Sequence, residues 1–449
     1  MKAISDMRFG FSDAENYRRR ENKDIFNKIF LRTEALDRLC ERSAFFLVGE
    51  KGTGKTAYAV YLSNSPYKGN RSTHKFIRET DYHKFVALRR DNRLGLSDYS
   101  DIWKVIIYLL LSDFIFQNAG TRDFLWKYGK FKSLRDAIDE YYQNAFDPEI
   151  PAALQFVENS SRAAEVVAKH IPLQATFRTE RKTETRSEKQ KFQTNLLVLE
   201  KQFRESLASL KLDENQILFV DGIDIRPDSV PYDEYLDCVK GLATAVWSVN
   251  NDFFPSIRDS VGRMRVILLV RPDIFNSLGL QNRNTKLKDN SVVLDWKTTY
   301  EAHRSSDIFK MADRLFSAQQ DHVMPSGACW DHYFPFDAAT VNYPLEQHRR
   351  YFTSFIILLR YSFHRPRDIL TILDFLQQLH VSKGSPNLVF KYEDLFTPDF
   401  RRAYGHYALG EIKDSLSFYY DVSEFDAFLK FFEYLDGRHK FNYEEYVSE

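Results

Sequence analysis

The stretch AFFLV-GEKGTGKT-AYAVYL, from Ala44 to Leu62, decides the fold of this chain. Its first five residues form an apolar run that predicts a short buried strand, and its last six are compatible with a helix. Between them, Gly49–Thr56 fits the pattern G-x-x-x-x-G-K-[ST] with a strand before it and a helix after it, which indicates a phosphate-binding loop, or P-loop. A glycine-rich turn that fits the pattern by chance is the alternative.

The residue types of this loop suit the binding of a nucleoside triphosphate. Glycines let consecutive backbone N–H groups turn inward around phosphate oxygens, and the start of the following helix adds positive potential. Lys55 is expected to reach the β- and γ-phosphates, and the Thr56 hydroxyl to ligate Mg²⁺. ATP and Mg²⁺ are therefore the expected ligands. The candidate nucleotide contacts in the loop are Gly49, Glu50, Lys51, Gly52, Thr53, Gly54, Lys55, Thr56 and Ala57.

A second apolar run ends in acidic residues, as the metal site of a P-loop requires. The segment QILFVDGID spans Gln216–Asp224, and Ile217–Val220 reads as a buried parallel strand. Asp221 lies at the carboxyl end of this strand, where ligands bind in α/β sheets, and is expected to hold Mg²⁺ through water. Asp224 is a candidate for orienting the attacking water. A strand followed by an Asx turn is the alternative for both.

Three arginines follow core elements and are candidate phosphate sensors. A third strand, RVILLV at Arg265–Val270, ends at Arg271, which either touches the γ-phosphate or is a surface residue or a partner of Asp273. Downstream, HRPRD opens the strongly helical pattern ILTILDFLQQL, as expected for a lid that closes on the nucleotide. Arg365 and Arg367 stand at the start of that helix, and a capped helix with surface ion pairs is the alternative reading.

Composition excludes several classes of protein. The 449 residues carry 63 Lys+Arg and 63 Asp+Glu, so a general polyanion binder is excluded. No apolar run is long enough for a membrane span, and the polar N-terminus has no apolar signal core. Three widely separated cysteines form no metal-ligand pattern. A cytoplasmic protein is expected.

The predicted fold is an α/β P-loop NTPase core, with a parallel sheet flanked by helices. Residues 1–42 form an N-terminal segment with an adenine-side helix at about Thr33–Glu41, and residues 43–300 form the core with a helical insertion at about 100–210. Residues 301–398 form a helical lid, and residues 399–449 an acidic, aromatic α/β or winged-helix-like unit that is expected to bind protein. The segment Arg178–Gln193, with six basic and three acidic residues, is a solvated helix, a linker or a contact for nucleic acid or a partner.

Together these motifs resemble the STAND class of P-loop NTPases, which includes NACHT and NB-ARC switches, and its AAA+ relatives. The DGID segment at Asp221–Asp224 is similar to the D-G-L-D Walker-B variant of that class, and VRP at Val270–Pro272 to its strand-end arginine–proline. The segment FLRTEALDRL, Phe30–Leu39, resembles its adenine-side G-R-x-x-E segment, which implies that Arg32 contacts the nucleotide. Leu31 stands where that segment usually has Gly.

More narrowly, the chain is similar to a family of bacterial P-loop ATPases. The marks of the resemblance, in order along the chain, are FGFSDAEN at Phe9–Asn16, the P-loop, DGIDIRP, RPDIF, VVLDW at Val292–Trp296, and HRPRD. Related switch ATPases serve in bacterial antiviral defence beside a partner effector, and that role is implied here by analogy.

Two functions follow as hypotheses. The first is a slow ATPase that acts as a molecular switch, controlling self-assembly into a homo-oligomer or a separate effector protein. The alternative is a DNA-acting ATPase, such as a loader or repair motor, which would use the basic insertion and the winged helix. A GTPase or small-molecule kinase is disfavoured because no guanine-binding N-K-x-D motif follows the acidic strand.

Overall fold

A computed structural model provides the architecture. It describes most of the predicted core and lid. The basic segment 178–193 lies outside the described residues, and so does KFVALR at 84–89, whose apolar residues predict a strand. The described ranges are 1–78, 98–118, 203–279, 283–337, 352–382 and 388–436, apart from single positions at 225, 228, 259 and 421, together with isolated residues between these ranges.

The described core is a five-stranded sheet in which every neighbouring pair of strands is parallel. The strands are β1 (Phe46–Val48), β2 (Asn70–Phe76), β3 (Asn215–Asp221), β4 (Met264–Val270) and β5 (Ser291–Val293), and their order across the sheet is β2-β3-β4-β1-β5. Strands β1, β3 and β4 fall on the three apolar runs from which they were predicted. Because β4 pairs with both β1 and β3, the P-loop, Asp221 and Arg271 all follow strands at one edge of the sheet.

Helices flank the sheet and form the lid and the tail. Their bounds are α1 (Arg20–Ile29), α2 (Glu34–Leu39), α3 (Lys55–Asn64), α4 (Asp98–Asn118), α5 (Tyr232–Ser248), α6 (Pro272–Ser277), α7 (Arg283–Asn290), α8 (Asp307–Ser317), α9 (Ala328–Tyr333), α10 (Ser354–Tyr361), α11 (Pro366–Ser382), α12 (Pro398–Leu416) and α13 (Val422–Leu435). In the described ranges, no helix combines the length and apolar character needed to cross a bilayer.

Strand side chains alternate between two apolar cores. In β4, Val266 and Leu268 face the core that holds α4 and α5, whereas Ile267 and Leu269 face the core that holds α3 and the lid. All four are fully buried. A strand covered on both faces must be apolar on both faces, which explains why it reads as a continuous apolar run rather than an alternating one.

The lid is held together by stacked aromatic rings. Trp330 of α9 stacks on Phe334 with ring centroids 4.4 Å apart and meets Phe355 of α10 edge-on at 5.1 Å. Its indole N–H donates to the Ser354 hydroxyl at 3.0 Å, so the one polar atom of the buried ring is satisfied. This core supports α11, the helix that carries the HRPRD segment.

The described part of the tail consists of the helices α12 and α13 and a helical residue pair at 443–444. Most of the segment KFNYEEY, on which a short strand was predicted, lies outside the described residues, so the α/β or winged-helix-like unit stays a prediction. Helix α12 packs on α11, and Phe400 is fully buried with its ring edge-on to Tyr361 at 6.2 Å.

Candidate functional site

The P-loop connects β1 to α3 and presents free backbone donors. Gly52 and Gly54 have φ of +84° and +93°, which favours glycine at both positions. The backbone N–H of Tyr58 donates to the Gly54 carbonyl at 3.0 Å. The N–H groups of Lys55, Thr56 and Ala57, at the start of the helix, have no helical carbonyl four residues earlier to bond to. No side chain caps Gly54. The start of α3 therefore has the donors and the positive potential that bind an anion.

Lys55 lies inside the loop rather than in solvent, with only 5% of its surface exposed. Its Nζ donates to the Gly49 carbonyl at 2.8 Å and forms an ion pair with Asp224 at 2.9 Å. Burial raises the pKa of Asp224, and the Lys55 charge opposes that shift without cancelling it. The two predicted catalytic residues are thus brought together.

Thr56 and Asp221 meet across the loop. The Thr56 hydroxyl donates to Asp221 Oδ2 at 2.6 Å, and the Gly222 N–H donates to Oδ1 at 2.7 Å. His74 Nε2 lies 3.2 Å from Oδ2. Burial raises the pKa of Asp221, but the hydrogen bonds from His74 and Thr56 and the Lys55 charge outweigh it, so the pKa is lowered overall. The carboxylate is therefore ionised, as a metal ligand must be.

Thr56 and Asp221 could hold a metal ion only together with further ligands. Within the ranges that the structure describes, no group of three or more His, Cys, Asp and Glu side chains is placed to hold an ion. A hydroxyl beside one carboxylate suits Mg²⁺, because Mg²⁺ keeps several waters and takes its remaining ligands from substrate phosphates.

The remaining loop residues build the turn. Gly49 N–H donates to the Val270 carbonyl at 3.2 Å, which ties the loop to the end of β4. The Thr53 hydroxyl donates to the Glu50 carbonyl at 2.7 Å, while the Glu50 side chain is exposed. Ala57 lines the adjoining cavity.

Both lid arginines lie directly on the P-loop. The Arg365 guanidinium donates to the Lys51 carbonyl at 3.0 Å and makes two bonds to Asp368, at 2.8 and 2.9 Å. The Arg367 backbone N–H donates to the Gly52 carbonyl at 3.2 Å. A Cβ on Gly52 would lie 3.2 Å from Arg367 Cβ, so glycine also permits this close approach.

An acidic residue of the tail forms ion pairs with both lid arginines and with Lys51 of the P-loop. The Glu411 carboxylate of α12, only 8% exposed, forms ion pairs with Lys51 at 3.5 Å, Arg365 at 3.2 Å and Arg367 at 3.5 Å. Asp414 also pairs with Lys51. The sequence predictions did not include Glu411. No local signal marks Glu411, because it lies before the acidic run that starts at Asp414 and has Arg401, Arg402 and Lys413 on the same helix.

Arg271 is buried and is paired within its own segment. Its guanidinium donates to Asp273 through Nε at 3.1 Å and through Nη2, and it lies over the Phe418 ring at 5.1 Å. Tyr419 donates to the same carboxylate. Of the alternatives stated above for Arg271, the structure therefore shows the pairing with Asp273. Arg271 is not among the residues that line the cavity beside the P-loop.

An apolar cavity opens beside the loop, with about 980 Å³ free of protein atoms when its mouth is included. Arg32 lies outside it: its Nε donates to the Tyr61 hydroxyl at 2.8 Å, and its guanidinium lies over the Tyr61 and Tyr67 rings. Leu31, where the resembled segment has Gly, is part of the wall. The walls include Phe11, Tyr17, Phe30, Leu31, Met311, Leu315 and Leu370, and Lys55, Thr56 and Asp224 lie at the P-loop side.

Two further segments complete the site without having been predicted as parts of it. The Trp296 indole N–H donates to the Thr53 carbonyl at 2.8 Å and so fixes the loop from behind. The Ser12 carbonyl accepts from Arg367 at 3.3 Å, which ties the N-terminal segment to the lid. Gly10, with φ +95°, has no room for a Cβ, which would lie 2.0 Å from the Tyr17 hydroxyl. The sequence signal was present, since both segments carry marks of the resemblance.

Comparison of the chain with protein-family models, with curated proteins and with solved structures finds no match in any of the three. Function is inferred below from the geometry of the site.

Proposed function

We propose that the chain is a Mg²⁺-dependent ATPase that works as a molecular switch of the STAND and AAA+ type. The observation that carries the proposal is the convergence of Lys55, Thr56 and Asp221 at the start of α3, beside an apolar cavity that reaches the same point. Phosphates would bind to the free N–H groups and to Lys55, while the base would lie among the aromatic and aliphatic side chains.

Thr56 and the ionised Asp221 would hold Mg²⁺, which neutralises phosphate charge when bound. Asp224 faces the same cavity and has a raised pKa, so it suits the role of accepting a proton from, or orienting, the attacking water. Lys55 must exchange its bond to Asp224 for phosphate oxygens, which releases the Asp224 carboxylate for this role.

The lid supplies the switch. Arg365 and Arg367 hold the P-loop through backbone carbonyls, and Glu411 of the tail holds both arginines. A γ-phosphate that attracts either arginine would compete with Glu411 and change the balance between two arrangements of lid and tail. Cytoplasmic location, assembly into a homo-oligomer, and control of an effector in antiviral defence stay predictions from the resemblance and composition.

Titration with ATP in the presence and absence of Mg²⁺ tests the proposal. Lys55→Ala is expected to weaken ATP binding by roughly a hundredfold or more, because it removes a buried cation from the phosphates. Lys288→Ala, the same change at an exposed position, is the matched control. Equal ATP affinity of wild type and Lys55→Ala would contradict the proposed site. If GTP displaced labelled ATP as well as unlabelled ATP does, the assignment of the cavity to adenine would be contradicted.

A further inference from the structure

A polar strand lies beside the strand that ends at Asp221. This strand, β2 (Asn70–Phe76), reads NRSTHKF and pairs in parallel with β3. Its side chains alternate in burial: Ser72 and His74 are buried, whereas Thr73 between them is half-buried. The strand has no apolar run, so the period of apolar residues does not point to it or to His74.

His74 is buried, and only one of its two ring nitrogens has a partner among the described residues. Its side chain is 1% exposed. Nε2 lies 3.2 Å from Oδ2 of Asp221, whereas Nδ1 is buried and has no hydrogen-bond partner in the described part of the chain. A buried polar atom without a partner costs stability, so packing alone does not explain a histidine at this position.

The direction of the bond to Asp221 follows from the charge of the carboxylate. The pKa of Asp221 is lowered, so both of its oxygens only accept hydrogen bonds. Nε2 of His74 must therefore carry the hydrogen and donate it to Oδ2. The sheet holds this donor in place, because each of the seven residues of β2 pairs with β3.

The donors around Asp221 leave room for one more partner on the carboxylate. The two oxygens of a carboxylate have about four lone-pair positions. In the described residues, the Thr56 hydroxyl and His74 Nε2 use Oδ2, and the Gly222 N–H uses Oδ1. These donors fix the orientation of the carboxylate and leave a position on Oδ1 for a metal ion or a metal-bound water.

We propose that His74 is a positioning residue, which holds the Asp221 carboxylate in the orientation that Mg²⁺ binding requires. This inference rests on the proposed function, because it concerns the metal site of the proposed ATPase. Without the His74 donor, the Thr56 hydroxyl is the partner that Oδ2 retains in the described residues, and Thr56 is itself expected to ligate the metal. The carboxylate would then be less firmly oriented, and Mg²⁺ would bind less tightly.

Titrations of the full chain with a non-hydrolysable ATP analogue, with and without Mg²⁺, test the proposal without relying on turnover. His74→Gln places an amide donor near the position of Nε2, whereas the shorter amide of His74→Asn lies near the position of Nδ1. We expect the Mg²⁺-dependent gain in affinity to fall roughly tenfold in His74→Asn and to be largely kept in His74→Gln. Affinity without Mg²⁺ should be the same in both variants as in the wild type, because the P-loop donors are unchanged.

Ser72→Ala is the matched control. It changes a buried polar side chain on the same face of β2, and the Ser72 hydroxyl has no hydrogen-bond partner in the described residues. This variant is expected to bind the analogue as the wild type does in both titrations. Nitrogen NMR of the metal-free chain gives a second readout, since the Nε2 resonance of His74 is expected to show that this nitrogen carries hydrogen.

The variants and the wild type separate failure of this inference from failure of the proposed function. The inference is overturned if His74→Asn keeps the full Mg²⁺-dependent gain, if His74→Gln or Ser72→Ala loses as much as His74→Asn, or if Nε2 carries no hydrogen. If the wild type itself binds the analogue no more tightly with Mg²⁺ than without it, the proposed metal site is wrong and the role of His74 falls with it.

Discussion

At the scale of single residues, Asp221 and Asp224 differ in environment although only two residues separate them. Asp221 accepts hydrogen bonds from the Thr56 hydroxyl and the Gly222 N–H and is bonded to His74, and its pKa is lowered. Burial raises the pKa of Asp224, and the ion pair with Lys55 and the charge of Arg271 oppose that shift without cancelling it. Two carboxyl groups with opposite shifts suit different tasks: a metal ligand that stays ionised and a group that exchanges protons.

Asp221→Asn and Asp224→Asn should therefore have different effects on hydrolysis. Asp221→Asn is expected to abolish Mg²⁺-dependent turnover, because the amide cannot supply the ionic metal ligand. Asp224→Asn is expected to slow turnover by roughly a hundredfold or more with little change in ATP affinity. Phosphate-release assays and ATP titrations measure both. A normal rate for Asp224→Asn would leave that residue with a structural role only.

The pH dependence follows from the raised pKa of Asp224. Its ionised form is the proton acceptor, so turnover should fall as pH drops through the raised pKa, at a higher pH than for an ordinary aspartate. Asp224→Asn should remove this acid limb from the profile of kcat against pH. If kcat of Asp224→Asn falls over the same pH range as that of the wild type, the acid limb belongs to another group.

At the scale of elements, the tail helix α12 is part of the site. Its Glu411 carboxylate forms ion pairs with both lid arginines and with Lys51. A helix far along the chain from the P-loop thus supplies negative charge to the cations around the loop. Charge pairing of buried groups is strong when their geometry is good, and its removal leaves the cations available to another anion.

Glu411→Gln is accordingly expected to raise ATP affinity, by roughly fivefold to tenfold, because the phosphates no longer compete with a carboxylate. Glu433→Gln, the same change at an exposed position of α13, serves as the control. An ATP titration compares the two. Unchanged or weaker binding by Glu411→Gln alone would show that Glu411 positions the arginines for the nucleotide rather than competing with it.

The join between lid and tail also depends on a fully buried acid. Asp368 makes two bonds to Arg365 and accepts bonds from the Tyr407 hydroxyl at 2.7 Å and the Phe363 N–H at 2.9 Å. Asp368→Asn should lower the free energy of unfolding by about 3 kcal/mol, because it leaves a buried guanidinium without its principal partner. Urea unfolding measures the loss, and the exposed Asp321→Asn should cost much less. Equal stabilities would contradict the role of the pair.

At the scale of the whole molecule, each lid arginine lies on the P-loop of its own chain. Arg365 and Arg367 reach the Lys51 and Gly52 carbonyls within one chain, through backbone contacts that fix the lid on the core. If the proposed switch operates with this arrangement, we expect the arginines to act in cis and the switch to work by moving lid and tail against the core.

Mixing two inactive variants tests this arrangement. Lys55→Ala and Arg367→Ala proteins, combined in equal amounts with ATP and Mg²⁺, are expected to show no more turnover than either alone, because each site draws its arginine from the same chain. Recovery of turnover in the mixture would show that the arginine works in trans within an oligomer.

Local pattern was enough to predict much of the core. The apolar runs before Gly49, Asp221 and Arg271 predicted β1, β3 and β4 because a strand buried on both faces is apolar at every position. The resemblance implied that Arg32 contacts the nucleotide. In the structure its side chain donates to the Tyr61 hydroxyl, and Arg32 does not line the cavity.

By itself, the sequence determined the parallel α/β core and the position of the glycine-rich turn between β1 and α3, and it pointed to Thr56 and Asp221 as a candidate pair, because these depend on short motifs and on the period of apolar residues. Only the tertiary structure decided the partners of these residues. His74 lies 147 positions before Asp221, and Glu411 meets Lys51 and the lid arginines from the far end of the chain. Such contacts have no local pattern, because they exist only where packing brings distant elements together.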